Sequence, residues 1–480
     1  MQKSPRRLAA MFAREPSATG LPPLNAEAIS KLVLTSEEPK SLREALHSPQ
    51  IQWTPLEVNT VLKSLWNHAP KALLFFHVLS QHPTYRHHSS SYDHAISLQS
   101  RLRDFRATWN LLHKMRSLNL GPTRITFSIL CHRYASAGRP HSAAKLFSSM
   151  HRHGFLHDTY SFNTLLRVLC ISRKPDLAST LFTSFSKNIK PDVVSYNIMA
   201  NGWCLAKKVH RAVAVLTKMV ENGIPANLSS YNIILNGYFR TKQIDKAWKF
   251  FIEMKNRNVK PDVVTYTTLV HGLANNGEME RAKRVFERME KEGVEPSVAT
   301  YNAMIKGLCR LHYVDNAVKL FNQMLRKGNP NTMTCNLVIK GLCHEGKMGE
   351  AIEIMRTMKG EKNLGPNLQT YNVVIRNFAE TMEMERAMEM LGEMEDSGCL
   401  PNADTYNVLI NGMFWRKKPN DLLAAGRLMV EMINRGFLPK TIVFNRVLDG
   451  LFLTGNQGFA REIISFLSRS GKLPRQFRVS

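Results

Sequence analysis

The chain has little of what most enzymes, secreted domains and membrane proteins need. No run of eighteen apolar residues occurs in its 480, which leaves no segment long and apolar enough to cross a bilayer as a helix. Its seven cysteines are odd in number and include no C-x-x-C pair, which argues against a disulfide framework or a zinc knuckle. A phosphate loop G-x-x-x-x-G-K-[ST] is missing: Gly341 to Lys347 comes nearest, but Met348 stands where a hydroxyl is required. The nucleophile elbow G-x-S-x-G is missing too. His87-His88 and His151-Arg152-His153 have no Cys or His partners at ligand spacing, so they are expected to be solvated or phosphate-facing rather than metal-bound. Neither a catalytic constellation, a cofactor site nor a metal site can be assembled, and the expectation is a binding protein and not an enzyme. Acids are also scarce, 38 against 65 Lys and Arg.

Methionine, in contrast, returns at a fixed interval. Met115, Met150, Met219, Met254, Met289, Met324, Met358, Met394 and Met432 are separated by 35, 69, 35, 35, 35, 34, 36 and 38 residues, with Phe185 midway along the double gap. Such a period makes each unit a supersecondary piece that buries its apolar face only against its neighbours. Residues 263–297 show the pattern: V-V-T-Y-T-T-L-V-H-G-L, an N-N-G-E-M-E connector, R-A-K-R-V-F-E-R-M and a K-E-G-V-E-P-S tail. Apolar positions recur at helical spacing in both halves, a Gly-containing turn separates them and Pro ends the second, so the unit reads as a helical hairpin. Seven residues before the Met, on the same helix face, stand Ala143, Ala178, Ala212, Ala247, Ala282, Ala317, Ala351, Ala387 and Ala425. The small residue admits the paired helix and the flexible thioether fills the gap left over, so the Met stripe is core packing.

Aligned on the tail, the units are 89–123, 124–158, 159–192, 193–227, 228–262, 263–297, 298–331, 332–367, 368–402, 403–440 and 441–475. Residues 54–88 have the same length, with Ala72 and Leu79 seven apart, and read as a degenerate capping repeat. Cys170, Cys204, Cys309 and Cys343 all fall at the twelfth position of their units, a buried place late in the first helix that suits a reducing compartment. Before the array, residues 1–30 read as an organelle presequence: Lys3, Arg6, Arg7 and Arg14 against the single acid Glu15 around Leu8 to Phe12. The short, Arg-biased segment with little Ser favours mitochondrion over chloroplast. Residues 31–53 read as a linker and 476–480 as a short tail.

The V-V-[ST]-Y-N start, the G-x-C that ends the first helix, A-x-x-[LV]-[FM]-x-x-M in the second and the K-P-D tail resemble the pentatricopeptide repeat family of plant organelles in its P-class form, over residues 54–475. The W-x2-L-G-x2-Y pattern of the peptide-binding tetratricopeptide repeat is absent. The resemblance implies an all-α, right-handed superhelical solenoid of helix-turn-helix repeats that binds single-stranded RNA, one base per repeat. A formal charge of +27 suits a polyanionic partner. Deaminase elements H-x-E and P-C-x-x-C, carried by an extension in some relatives, are missing here.

In that family the fifth and last residues of a unit read the base and the second packs against it. Ser128 with Asp158 then resembles the guanine pair, and Asn163 with Asp192 and Asn232 with Asp262 the uracil pair. Asn197 with Asn227, Asn302 with Asn331, Asn336 with Asn367 and Asn372 with Asn402 resemble the pyrimidine pair, leaning to cytosine. Thr267 with Ser297 favours a purine. Asp93 with Thr123, Asn407 with Lys440 and Asn445 with Arg475 depart from the code. The expected core is 5′-GUYURYYY-3′, with a possible break of register after it at Lys417-Lys418-Pro419-Asn420. Asn at a helix start can serve as a cap, but a cap gives no reason for the tail residue to vary among Asp, Asn and Ser, so readout is the reading taken. The expected role is promotion of group II intron splicing in a transcript for a mitochondrial NADH dehydrogenase subunit, with other splicing factors as further partners. End protection or translation activation is the alternative, and a protein-binding scaffold is the alternative of another class.

Overall fold

The structure, a computed structural model, describes residues 26–36, 39–47, 53–155, 157–186, 188–327, 330–360, 364–416, 419–435 and 437–469. Those residues form helices and no strands. Contacts divide the chain into two compact units, 1–259 and 260–480. The first unit opens with α1 (Ala26–Thr35), α2 (Pro39–Leu46), α3 (Pro55–Ser64) and α4 (Ala69–Leu79). Its hairpins follow: α5 (Ser89–Arg101) with α6 (Phe105–Ser117), α7 (Arg124–Ser136) with α8 (Pro140–Ser148), α9 (Thr159–Ile171) with α10 (Pro175–Phe185), α11 (Val193–Leu205) with α12 (Val209–Glu221), and α13 (Leu228–Arg240) with α14 (Ile244–Asn256). The second unit holds α15 (Val263–Asn275) with α16 (Met279–Lys291), α17 (Val298–Arg310) with α18 (Val314–Lys327), α19 (Thr332–His344) with α20 (Met348–Gly360), α21 (Leu368–Glu380) with α22 (Met384–Asp396), α23 (Ala403–Arg416) with α24 (Pro419–Asn434), and α25 (Thr441–Leu453) with α26 (Gln457–Arg469). Within each unit a first helix packs on its own second helix and on the first helix of the next hairpin. Each unit is an all-α solenoid of tandem hairpins among its described residues.

Most first helices start where a capping side chain stands before them. Thr123, Asp158, Asp192, Asn227, Asp262, Ser297, Asn331 and Asn367 all have extended backbone and accept the N–H of the residue three along. That bond satisfies an orphan donor and is worth about 1 kcal/mol per helix. Second helices α8, α10, α12, α14, α16 and α22 lack a side-chain cap and, like α6, which Asp104 caps by accepting Ala107 N–H, begin after a turn in the left-handed region. Gly138, Gly277, Gly346 and Gly455 supply glycine there; Arg103, Arg173, Lys207, Lys242, His312 and Met382 take φ of 57 to 64° in the corresponding turns. The turn is held by a backbone bond that closes behind it, such as Lys208 N–H to Trp203 O at 2.9 Å and Glu383 N–H to Phe378 O at 2.8 Å, which offsets the strain of a side chain in that region.

Packing follows the repeat. The nine Met and nine Ala of the stripe are each at most 2% exposed. The fourth-position tyrosines are buried and close their hairpins through the phenol: Tyr371 Oη lies 2.8 Å from Ser397 Oγ, and Tyr406 Oη donates to Glu431 Oε1 at 2.8 Å. Successive first helices approach most closely where a tenth-position glycine faces the twelfth residue of the helix before. A Cβ on Gly202 would lie 2.2 Å from Cys170 Sγ, and one on Gly341 would lie 2.5 Å from Cys309 Sγ.

The stretch read as a linker, 31–53, instead holds the second half of α1 and all of α2. Ile29 and Val33, then Leu42 and Leu46, are spaced by four and buried, so the two helices lay apolar stripes on α3 and α4. Two turns of helix between polar flanks give too short a periodicity to stand out from a Ser/Pro/Glu-containing background. Most of the presequence reading, and the tail, lie outside the described residues.

Candidate nucleic-acid interface

The first turns of the first helices show one pattern of exposure. The third residue is buried: Thr126, Ser161, Ser195, Ser230, Thr265, Thr300, Thr334, Thr370 and Thr405 are at most 1% exposed. The second points outward, with Ile125, Tyr160, Val194, Val264 and Met333 46 to 62% exposed. The fifth is half-buried in Ser128, Asn163, Asn197, Asn232, Thr267, Asn302, Asn336, Asn372 and Asn407. Second, fifth and ninth positions share a helix face, and the ninth carries exposed Arg167, His271, Lys306, Lys340 and Arg376. This basic row was not picked out from the sequence, although it recurs at the same period.

The fifth residue and the tail residue meet at the seam where one hairpin passes to the next. Asn163 Nδ2 donates to Asp192 Oδ1 at 3.2 Å, Asn197 Nδ2 to Asn227 Oδ1 at 3.3 Å, and Asn336 Nδ2 to Asn367 Oδ1 at 3.3 Å. The tail residue's Oδ1 is also the cap: Asp192 Oδ1 takes Ser195 N–H at 2.8 Å and the Ser195 hydroxyl at 2.8 Å. The same two donors reach Asn227, Asp262, Asn331, Asn367 and Asn402 from the third residue of the following helix. An acceptor is required at that place, so Oδ1 is committed in Asp and Asn alike. The atom left over differs: a carboxylate oxygen, which only accepts, or an amide nitrogen, which only donates.

Capping therefore falls to the tail residue, five residues before the Asn to which the sequence reading gave it as the competing role. Variation among Asp, Asn, Ser and Thr at the tail is compatible with capping alone, which removes that variation as evidence for readout. The chemistry of the uncommitted atom takes its place.

The ends of the array differ from its middle. Asp158 caps through Ser161 N–H at 2.8 Å, and its Oδ2 is paired with Arg124 Nε at 2.8 Å. Burial pushes its carboxyl up, but the Ser161 bonds and the Arg124 guanidinium outweigh it and hold the group below the usual carboxylate value. For Asp192 burial likewise raises, and the bonds from Ser195 and Asn163 win and lower it. Asp93 is consumed inside the fold, accepting Thr126 Oγ1 at 2.5 Å and Thr123 Oγ1 at 3.1 Å, and its carboxyl is raised by burial. Lys440 makes no side-chain cap, and Asn407 Nδ2 turns back to Ala403 O at 2.7 Å. Thr267 Oγ1 donates to Val263 O and contacts Thr300 Oγ1, both at 2.7 Å, while the Ser297 hydroxyl is taken up with Thr300. Asn232 and Asp262 belong to different compact units, and each keeps the local geometry of its class.

The cysteines are free, and burial raises Cys170, Cys204 and Cys343 to about 12 and Cys309 to about 11. Cys309 is only half-buried. His87, expected in solvent, is buried: its ring stacks on Phe76 with centroids 3.9 Å apart and Nε2 lies 2.9 Å from Phe76 O. Among the described residues no group of His, Cys, Asp or Glu could hold a metal.

Comparison with known sequences finds the PPR repeat family at residues 191–237, 226–275, 261–310, 296–329, 330–380 and 366–414, the pentatricopeptide repeat domain at 145–198 and a PPR repeat at 125–155. A pentatricopeptide repeat-containing protein of Arabidopsis thaliana, mitochondrial by name, is 50% identical over 462 residues, 95% of this chain and 96% of that one. Another mitochondrial relative from the same plant is 27% identical over 178 residues, 37% of this chain and 34% of that one. Among solved structures, the maize pentatricopeptide repeat protein PPR10 aligns over 94% of this chain and 85% of its own at 19% identity, with a TM-score of 0.41. Yeast Rmd9p, solved with a 16-nucleotide target RNA, aligns over 99% and 96% at 12% identity, with a TM-score of 0.38.

Proposed function

The chain belongs to the pentatricopeptide repeat family, and from that premise we propose that it binds a single-stranded mitochondrial RNA and reads it one base per repeat. The compartment is the mitochondrion, as for the relative matched over 95% of the chain. The observation that carries the reading is the uncommitted tail atom. At Asp192 and Asp262 the frame uses Oδ1 and leaves an acceptor, the complement of the N3–H of uracil. At Asn227, Asn331, Asn367 and Asn402 the frame again uses Oδ1 and leaves an N–H donor, the complement of N3 of cytosine. Exposed second-position side chains such as Val264 and Met333 offer apolar surface to a base plane, and the ninth-position Lys306, Lys340 and Arg376 offer charge to phosphates. The resulting core is 5′-GUYURYYY-3′, with its first letter weakened because Arg124 already holds Asp158.

A strand held in this way can neither pair with competing RNA nor be passed by a nuclease. The first consequence is the one we assign: promotion of group II intron splicing in a transcript for an NADH dehydrogenase subunit, by binding rather than by chemistry. Selection of a random RNA pool by the purified protein at physiological salt tests the readout, since nonspecific phosphate binding is suppressed there. Enrichment of GUYURYYY supports it. Salt-sensitive binding with no enriched letters refutes the code and leaves a scaffold.

A further inference from the structure

Where the third residue of a repeat is Ser or Thr it has one hydroxyl proton to give, to the cap or to the fifth-position Asn of the repeat before, and the repeats divide over which one receives it. Ser195 Oγ lies 2.6 Å from Asn163 Oδ1 against 2.8 Å from the cap, Asp192. Thr370 Oγ1 lies 2.7 Å from Asn336 Oδ1 against 3.1 Å from Asn367, and Thr405 Oγ1 lies 2.7 Å from Asn372 Oδ1 against 3.0 Å from Asn402. Ser230 and Thr334 instead give the proton to their caps at 3.0 and 2.9 Å. There the fifth-position Asn197 and Asn302 keep a buried Oδ1 with no hydrogen-bond partner. The terminal torsion of an Asn side chain is broad and roughly two-fold, so an amide with an unheld oxygen can present either its donor or its acceptor end.

We propose that the hydroxyls of Ser195, Thr370 and Thr405 are positioning residues for the base read by the preceding repeat. By drawing Oδ1 of Asn163, Asn336 and Asn372 into the seam, each leaves Nδ2 as the group that meets the base, so that repeat demands an acceptor on the base edge. The Asn302 amide, with its oxygen unheld, accepts either polarity, whereas Asn197 is still held through Nδ2 by Asn227 Oδ1. The inference rests on the RNA-reading function above. It makes letters two, seven and eight of GUYURYYY sharply specified and letter six loosely specified.

The test sets Thr370→Val beside Thr334→Val. Both lose the same cap-side hydroxyl, so both should lower the melting temperature similarly, but only Thr370 holds the preceding Asn. Binding is measured against RNAs carrying each base in turn at letters six and seven. Thr370→Val should cut discrimination at letter seven by about five- to tenfold, the worth of one hydrogen bond, with letter six unmoved, and Thr370→Ser should restore it. Thr334→Val should leave letter six unchanged. Equal loss at all letters, or unchanged discrimination at letter seven, overturns the proposal while leaving the readout standing. Absence of any preference at letter seven in the unsubstituted protein refutes the readout itself, and the proposal with it.

Discussion

A side chain that caps a helix has one atom committed and one to spend, and the spare atom is where the tail residue acts. Asp192→Asn keeps the acceptor that Ser195 N–H requires, and Asp and Asn cap about equally well. Stability should therefore change by less than about 0.5 kcal/mol, while the second letter moves from U towards C; thermal melts and a single-position binding series check the two halves separately. Charge adds a pH argument. Asp158 and Asp192 sit below the ordinary carboxylate value, so their contribution is present above the unfolded value and is lost only as pH falls through the lowered one, leaving pH 7 to 5 unaffected. His87 behaves in the opposite window. Burial lowers it from 6.5 to about 4, with Lys114 and His77 adding to the shift and the Phe76 carbonyl opposing it. Between those values the unfolded chain takes up a proton that the folded one refuses, so stability falls with falling pH, by about 3 kcal/mol across the window. Protection factors of the amides in α4 and α5, which correct for the intrinsic pH dependence of exchange, should fall from pH 7 to pH 5, and His87→Phe should flatten that dependence; an unchanged slope would sink the assignment.

At the scale of the helices, the two kinds of junction respond differently to glycine. Met382 holds φ at 64° with its side chain 44% exposed, so Met382→Gly removes strain without opening the core and should raise stability by about 0.5 to 1 kcal/mol. Gly341→Ala should cost about 1 to 3 kcal/mol, because the new methyl meets Cys309 Sγ at 2.5 Å. Combining it with Cys309→Ala should recover part of that loss, a coupling that a denaturant double-mutant cycle reads directly. These junctions also show what the sequence displays and what it hides. First helices such as α11, α15 and α17 begin at Val193, Val263 and Val298, directly after the Pro-containing tail, because a cap and a proline mark a boundary chemically. The left-handed turns were legible only where glycine stands, since a Lys or Met held at positive φ by a closing backbone bond leaves no trace in composition. The third-position Ser or Thr was visible as a constant of the motif, but its division between two acceptors depends on tenths of an ångström that only packing sets.

For the whole molecule, the relevant property is that within each compact unit a hairpin touches its sequence neighbours, so stability and footprint should both be sums over repeats. Removing residues 298–331 takes out α17, α18 and the Asn302 and Asn331 pair as one unit. The new junction joins Ser297 to Thr332, and Ser297 already caps a helix by accepting the N–H of the third residue that follows, so α19 keeps a competent cap. Thr334 retains the hydroxyl that such a cap meets in this seam. The shortened chain should therefore unfold in one cooperative step, with a smaller denaturant m-value because less surface is exposed. It should also prefer RNA from which the sixth letter has been deleted over the full core, by at least the worth of one good hydrogen-bonded pair, about tenfold. A competition between the two RNAs decides it: preference for the seven-letter strand means that letters and repeats are in register, whereas unchanged preference for eight letters would mean that the array holds RNA without counting it.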